Sequence, residues 1–335
     1  MYQPQPHICA VIMAPEKIEV SPQQVSSMVK LLDDNDQEVS RHVEDKLLSY
    51  GASVVQLLQT EWETSFEAII QQKLENLIAK IQFDDVKKCL TAWAANSEED
   101  LLEGVCVIAR YKYPDLDKQE ISNMLDKIRL DIWLELHYQL SSLEKVKIIN
   151  HVLFNLYGFN ANVNHYHSPQ NSYINNVLES RRGNPISLSV VYHLVAQRLN
   201  IPIYGVNLPQ HFVLAYCNDS GLETLGHFKD PIDLNNFDKG RILFYINAFN
   251  RGAVLSLANI EQFVKQLNLP HDPHYFAPCT NLDIAKRMLR NLQHAYAHHN
   301  DPKRERDVRE MLAILGEVQV EQEPGLDASD GEEED

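Results

Sequence analysis

With 335 residues the chain is long enough for two or three domains, because single hydrophobic cores rarely outgrow about 250–300 residues. Its formal charge is −17, but nine acidic residues and no Lys or Arg lie between Glu317 and Asp335, so the rest of the chain carries only −8. That mild acidity argues against nucleic acid and anionic membrane as partners, since both ask for basic patches, and no apolar run approaches the roughly 18 residues that cross a bilayer.

Residues 1–20 read as an N-terminal segment. The start MYQPQPHICAVIMAPEKIEV lacks a positive region, and its apolar run from Ile8 to Ala14 stops at Pro15 and Glu16, so no secretion signal is expected. Cys9, Cys89, Cys106, Cys217 and Cys279 form no CxxC pair and are irregularly spaced. Reduced thiols in a cytoplasmic protein are the simplest expectation.

Ser21-Pro22 provides a helix cap followed by a first-position proline. The phrase MVKLLDDNDQEVSRHVEDKLLSYGASVVQLL then reads as two helices split at Asp33-Asp34-Asn35-Asp36 and closed by Gly51. This pair resembles a HEAT-type repeat, in which each helix pair buries its face against the next. Helical periodicity continues through Phe66–Phe83, Asp84–Asn96 and Glu98–Tyr111, which makes 21–115 a helical domain ending near Tyr113-Pro114-Asp115.

Residues 116–272 form the next unit. It opens with helices Ile121–Leu140 and Ser142–Leu156, then a polar loop from Phe159 to Gln170 and a short helix, Ser172–Glu179. RRGNPISLSVVYHLVAQRLNIPIYGVNLPQHFVLAY follows, from Arg181 to Tyr216. Asn184 suits an N-cap and Pro185 the first helical position. Leu188, Val191, Tyr192, Val195 and Leu199 give one apolar face, and Asn200 with Pro202 ends the helix. Strands are expected at Ile203–Val206, from His211 into Phe212–Tyr216, and at Ile242–Phe249. Asp219-Ser220-Gly221 reads as a hairpin turn leading into a strand at Glu223, Thr224 and Leu225. Residues 273–316 hold two amphipathic helices separated at Asp301-Pro302, a pair that resembles a tetratricopeptide-like unit. Residues 317–335 read as an acidic, disordered tail. The fold class is therefore α+β and mostly helical, with a small antiparallel sheet and a buried helix between helical layers.

A helix from a Gly-x-x turn, a strand with His and a strand with Asp or Asn is the order of the transglutaminase-like core. The words NSYINNVLESRRGNPISLSVVYHLVAQRLNIPIYGVNLPQHFVLAY and INAFNRGAVLS resemble its SirB-like branch, from about Asp126 to Leu269. The resemblance implies a Cys at the helix N-terminus, activated by the helix dipole, with a His base and an Asp. Here that place is Gly183-Asn184-Pro185, and no Cys lies between Arg181 and Tyr216. His211 matches the base, able to take a proton and return it. Asn247 matches the orienting group, through its carbonyl.

Ser187 and Ser189 are the nearest hydroxyls. Ser189 lies about 40° from Pro185 around the helix and Ser187 about 200°. Either could be a nucleophile served by His211, or a helix serine bonded to a backbone carbonyl. Cys217 is ~20 Å from His211 along its strand, too far to serve. Arg181 and Arg182, ahead of Asn184 and Pro185, suit a small anion such as a carboxylate or phosphate, or surface pairing with acids.

His165 with His167, and His294 with His298 and His299, lack a third metal ligand, and no HExxH, GxGxxG, P-loop or GxSxG occurs. No metal and no cofactor are expected. The preferred reading is a transglutaminase-like core without its nucleophile, a binding or scaffold module meeting a protein partner through its helical repeats. The rival is an amidase or acyl-transfer hydrolase using Ser187 or Ser189 with His211 and Asn247.

Overall fold

A computed structural model describes residues 20–96, 100–217, 242–268 and 272–317. The segment 1–19, the turn at Asp219-Ser220-Gly221, the strand at Glu223–Leu225 and the acidic tail beyond Glu317 lie outside the described residues.

Helix α1 (Pro22–Leu31) starts at a reciprocal box between Ser21 and Gln24, with Pro22 in first position. Helix α2 (Gln37–Ser49) is capped by Asp36. With α3 (Val55–Thr64) and the first half of α4 (Ala68–Ala94) they enclose a cluster around Val25, Leu47, Leu58, Leu74 and Leu77. The sequence reading splits α4 at Phe83-Asp84, yet the helix is continuous over 27 residues. No Pro or Gly interrupts it, and Asp84 is accommodated by an i,i+3 pair with Lys87 at 2.9 Å. Ile81 is the last α4 residue in this cluster, and from Val86 the helix feeds the main core. The change of core thus falls inside α4.

Next come α5 (Leu101–Arg110), α6 (Lys118–Glu135) and α7 (Ser142–Asn150). The run that reads as one helix to Leu156 changes at His151 into a π turn, His151–Leu156. A two-residue parallel ladder then forms between β1 (Asn160–Ala161) and β2 (Arg182–Gly183), on either side of α8 (Ile174–Ser180). Helix α9 (Pro185–Arg198) follows, and then an antiparallel sheet in the order β3 (Ile203–Val206), β4 (Val213–Cys217), β5 (Ile242–Asn247), β6 (Ala253–Leu255). Helices α10 (Leu257–Gln266), α11 (Asn281–His298) and α12 (Pro302–Ile314) complete the chain. The fold is α+β and mostly helical, with the small sheet and a buried helix flanked by helical layers.

The sequence gives α9 one apolar face, but every residue from Pro185 to Ala196 is buried. A helix apolar on all sides belongs inside a core. It lies under the sheet face made by Ile203, Phe212, Leu214, Tyr216 and Ile246, with α5 to α8 and the α11–α12 pair closing the rest. The opposite sheet face, with Val206, Val213, Ala215, Cys217 and Tyr245, packs on Ile260 and Val264 of α10. This alternation follows from the two-residue side-chain period of a strand. Helices α11 and α12 enter the main core through Met288, Leu292, Tyr296, Val308 and Met311.

Among the described residues no helix is long and apolar enough to cross a membrane. Cys106, Cys217 and Cys279 carry free thiols.

Candidate functional site

The N-terminus of α9 is where the resemblance puts a nucleophile. Asn184 Oδ1 accepts from the Ser187 N–H at 2.9 Å, and Ser187 Oγ accepts from the Asn184 N–H at 3.0 Å. This reciprocal box satisfies the helix end from within. Asn184 Nδ2 donates in turn to Ser172 Oγ at 3.2 Å, and Pro185 in first position has no N–H to offer. Gly183 permits the arrangement: a side chain there would run into Ser187 Oγ and the Leu188 side chain. Ser189 lies 0% exposed and its hydroxyl donates to the Pro185 carbonyl at 2.8 Å. Both serines are buried and already bonded, as helix serines commonly are.

His211 is elsewhere. It precedes β4, is exposed, and stacks on Phe263 of α10 with ring centroids 5.0 Å apart and planes 9° from parallel. Phe263 packs with the sheet face turned away from α9. His211 Nδ1 lies 3.2 Å from the Gln210 carbonyl. Asn247 is paired with Ala253 at the end of β5, and its Oδ1 accepts from the Asn250 N–H at 3.1 Å. Among the described residues no hydrogen bond links His211 to Asn247, Ser187 or Ser189. The serines belong to the helix and His211 to the far face of the sheet, so this structure does not bring the expected constellation together.

A different histidine fits the description of a buried imidazole bonded to a carbonyl. His193, in the middle of α9, is 3% exposed, and its Nδ1 lies 2.6 Å from the Ile203 carbonyl. Burial pulls its pKa down to about 4, against a smaller raising effect of that hydrogen bond. The neutral ring with Nδ1 protonated satisfies the carbonyl and pins α9 to β3. The only sequence signal was a histidine inside an apolar run.

Arg181 and Arg182 are exposed and make no ion pair among the described residues. Arg181 ends α8 with a left-handed backbone (φ 58°), and its guanidinium lies 5.8 Å from the Tyr157 ring centroid. The loop from Phe159 to Gln170 is held from below by Asn171, which is 2% exposed. Asn171 Nδ2 donates to the His165 and Tyr166 carbonyls at 2.7 and 3.0 Å, and its Oδ1 accepts from Asn162 Nδ2 at 2.8 Å.

His167 stacks on His298 at 4.4 Å between centroids, and His299 meets His298 edge-on. No group of three metal-ligating side chains occurs among the described residues. Burial pushes the thiols of Cys106 and Cys217 up to about 12, and that of Cys279 well above the usual range. Cys106 and Cys217 are buried core thiols of the unreactive kind, and Cys279 is half-buried at the edge of the main core.

Three comparisons set this geometry among known proteins. The family model described as the transglutaminase-like superfamily matches residues 119–290. A UPF0162 protein of Xylella fastidiosa (strain 9a5c) is 32% identical over 213 residues, covering 60% of this chain and 66% of that protein. F-box only protein 21 of Mus musculus is 34% identical over 125 residues, 36% of this chain and 20% of that protein. A UPF0162 protein of Pasteurella multocida (strain Pm70) is 36% identical over 70 residues, 21% of this chain and 26% of that protein. The chain thus spans less than two thirds of the length of these curated relatives. No solved structure matches it.

Proposed function

The chain belongs to the transglutaminase-like superfamily, and we propose that it serves there as a binding or scaffold module and not as an acyl-transfer catalyst. One observation carries the reading: the α9 N-terminus holds Pro185 and is closed by the Asn184–Ser187 box. A helix end spends its dipole and free N–H groups on a thiolate or an oxyanion only if they face one. This end is buried and bonded to itself. Arg181 and Arg182 then become binding residues, two exposed cations ahead of the helix that suit a carboxylate or phosphate carried by the partner.

We assign the chain to the SirB-like branch on the words around Arg181–Tyr216 and Asn247–Gly252. The α1–α2 pair is proposed as a HEAT-type unit and the α11–α12 pair as a tetratricopeptide-like one, with a protein partner meeting these helical faces in the cytoplasm.

A fluorophosphonate probe tests the reading. Ser187 and Ser189, which lack an adjacent base, should stay unlabelled. Labelling that disappears in a His211→Ala variant would overturn it, in favour of an amidase or acyl-transfer hydrolase using Ser187 or Ser189 with His211 and Asn247.

A further inference from the structure

The π turn at His151–Leu156 carries side chains that the binding reading leaves unused. Single π turns inside helices often accompany functional sites. Here the turn lines up Lys147, His151 and Asn155 on one face: the His151 N–H bonds back to the Lys147 carbonyl, and the His151 and Asn155 side chains meet one turn further on. Arg251 arrives from the turn after β5. It donates to the Phe154 carbonyl at 3.3 Å and to Asn155 Oδ1 at 2.5 Å.

The guanidinium has only donors, so the amide it meets must present oxygen. Asn155 Nδ2 therefore points at His151 Nδ1, 3.3 Å away, and makes that nitrogen the acceptor. The imidazole proton is left on Nε2. Arg251 holds a left-handed backbone (φ 51°), a conformation that costs a non-glycine residue energy and that clusters at functional positions. Lys147, His151, Asn155 and Arg251 are all exposed. Of the acids nearby, Asp131 accepts from the Tyr157 hydroxyl, and Glu144 accepts from the Ser141 N–H and hydroxyl while its charge also faces the Lys147 ammonium without a direct ion pair. In a chain with 47 acidic and 30 basic residues, Lys147, His151 and Arg251 form no ion pair among the described residues.

We propose that Lys147, His151 and Arg251 form an oxyanion-binding site on the π turn, with Asn155 as the positioning residue that fixes the imidazole tautomer. The ligand is a phosphate or carboxylate group, taken by the His151 Nε2–H, the Lys147 ammonium and the free edge of the Arg251 guanidinium. Charge-assisted donors of this kind suit both groups. The site is independent of Arg181 and Arg182 and goes beyond the binding reading above.

The test is a titration of the full chain with inorganic phosphate and, separately, acetate, followed by nitrogen-15 NMR of the histidine side chains, with His151 assigned from a His151→Gln variant. Saturable shifts at His151 with either anion support the site and say which class it takes. Arg251→Gln and Lys147→Gln should each weaken the binding read at His151 about tenfold. Asn155→Ala should bring the two ring-nitrogen shifts of His151 together as the tautomer preference is lost, which a merely structural asparagine would not do. No saturable shift with either anion, or affinity unaltered in both Arg251→Gln and Lys147→Gln, would overturn the proposal. Because Lys147 is exposed on α7, its variant keeps the test open even where Arg251→Gln disturbs the turn.

Discussion

Asn150 occupies the space that a side chain at position 252 would need. Gly252 has φ 74°, and a Cβ built on it would overlap the Asn150 amide. From there Asn150 Nδ2 donates to the Gly252 carbonyl at 2.8 Å and Oδ1 accepts from the Tyr192 hydroxyl at 3.0 Å. One amide thus ties α7, α9 and the turn after β5 together. Gly252→Ala should cost about 2–4 kcal/mol, from the left-handed backbone and the displaced amide. Asn150→Ala should cost about 1–3 kcal/mol by leaving the carbonyl and the hydroxyl unpaired. The two losses should fall short of adding in the double variant, because the clash disappears with the amide. Urea unfolding of the four proteins measures this, and strict additivity would mean that the two residues do not share the space.

Burial of α9 on all sides gives a second expectation. A one-faced helix would tolerate a charge at Val190, which lies off the Leu188–Val191–Val195 stripe. The structure has Val190 1% exposed and Leu194 1% exposed. Val190→Asp, like Val191→Asp, should therefore cost on the order of 3–5 kcal/mol through an unpaired buried charge. Soluble Val190→Asp protein with an unchanged melting temperature would show that this side of α9 faces solvent.

The α9 boundaries were legible because Asn184, Pro185 and Asn200 act locally, through a cap, a fixed φ and a left-handed residue. The strands at Ile203 and Ile242 were legible for a similar reason, being short apolar runs between breakers. Which elements cover α9 was not legible, since its covering partners come from both ends of the chain. The site suffered most. His211 and Ser189 sit at suggestive places along the sequence, but strand parity and the turn at Gln210 (φ 58°) decide which side of the sheet a residue reaches. The roles of His193, Asn150 and His151 depend on contacts across ten residues or more, or on a π turn, and no spacing rule announces either.

His193 makes stability depend on pH. The folded chain refuses its proton down to about pH 4, while the unfolded chain takes one near 6.5. Between those values the unfolded state binds more protons, so stability falls as pH falls, by about 1.4 kcal/mol per unit, and is fully present above about 6.5. From pH 7.5 to 5 this amounts to about 2 kcal/mol. His193→Asn keeps a donor for the Ile203 carbonyl and removes the titration. The variant should therefore lose about that much less stability than wild type over the same range in urea melts. Parallel pH profiles would mean that His193 is solvated in the folded state.

Pro185→Cys asks whether a catalytic geometry survives at the α9 N-terminus. Two effects oppose each other there. The helix end lowers a thiol pKa, as does a neighbouring imidazolium, whereas burial raises it. Pro185 is buried and His211 lies against Phe263, on the face turned from α9, so the His211 imidazole is not at hand. Cys106 and Cys217 show what burial does to thiols in this core, with both pushed up to about 12. The new thiol should accordingly react slowly with iodoacetamide at pH 6, once the native cysteines are replaced by Ser or Ala, and its rate should not change in a His211→Ala background. The substitution itself should cost little stability, because proline in the first helical turn is tolerated and not required. Fast alkylation at pH 6 that depends on His211 would place the imidazole beside the helix end and restore the cysteine-histidine geometry of the superfamily to this chain.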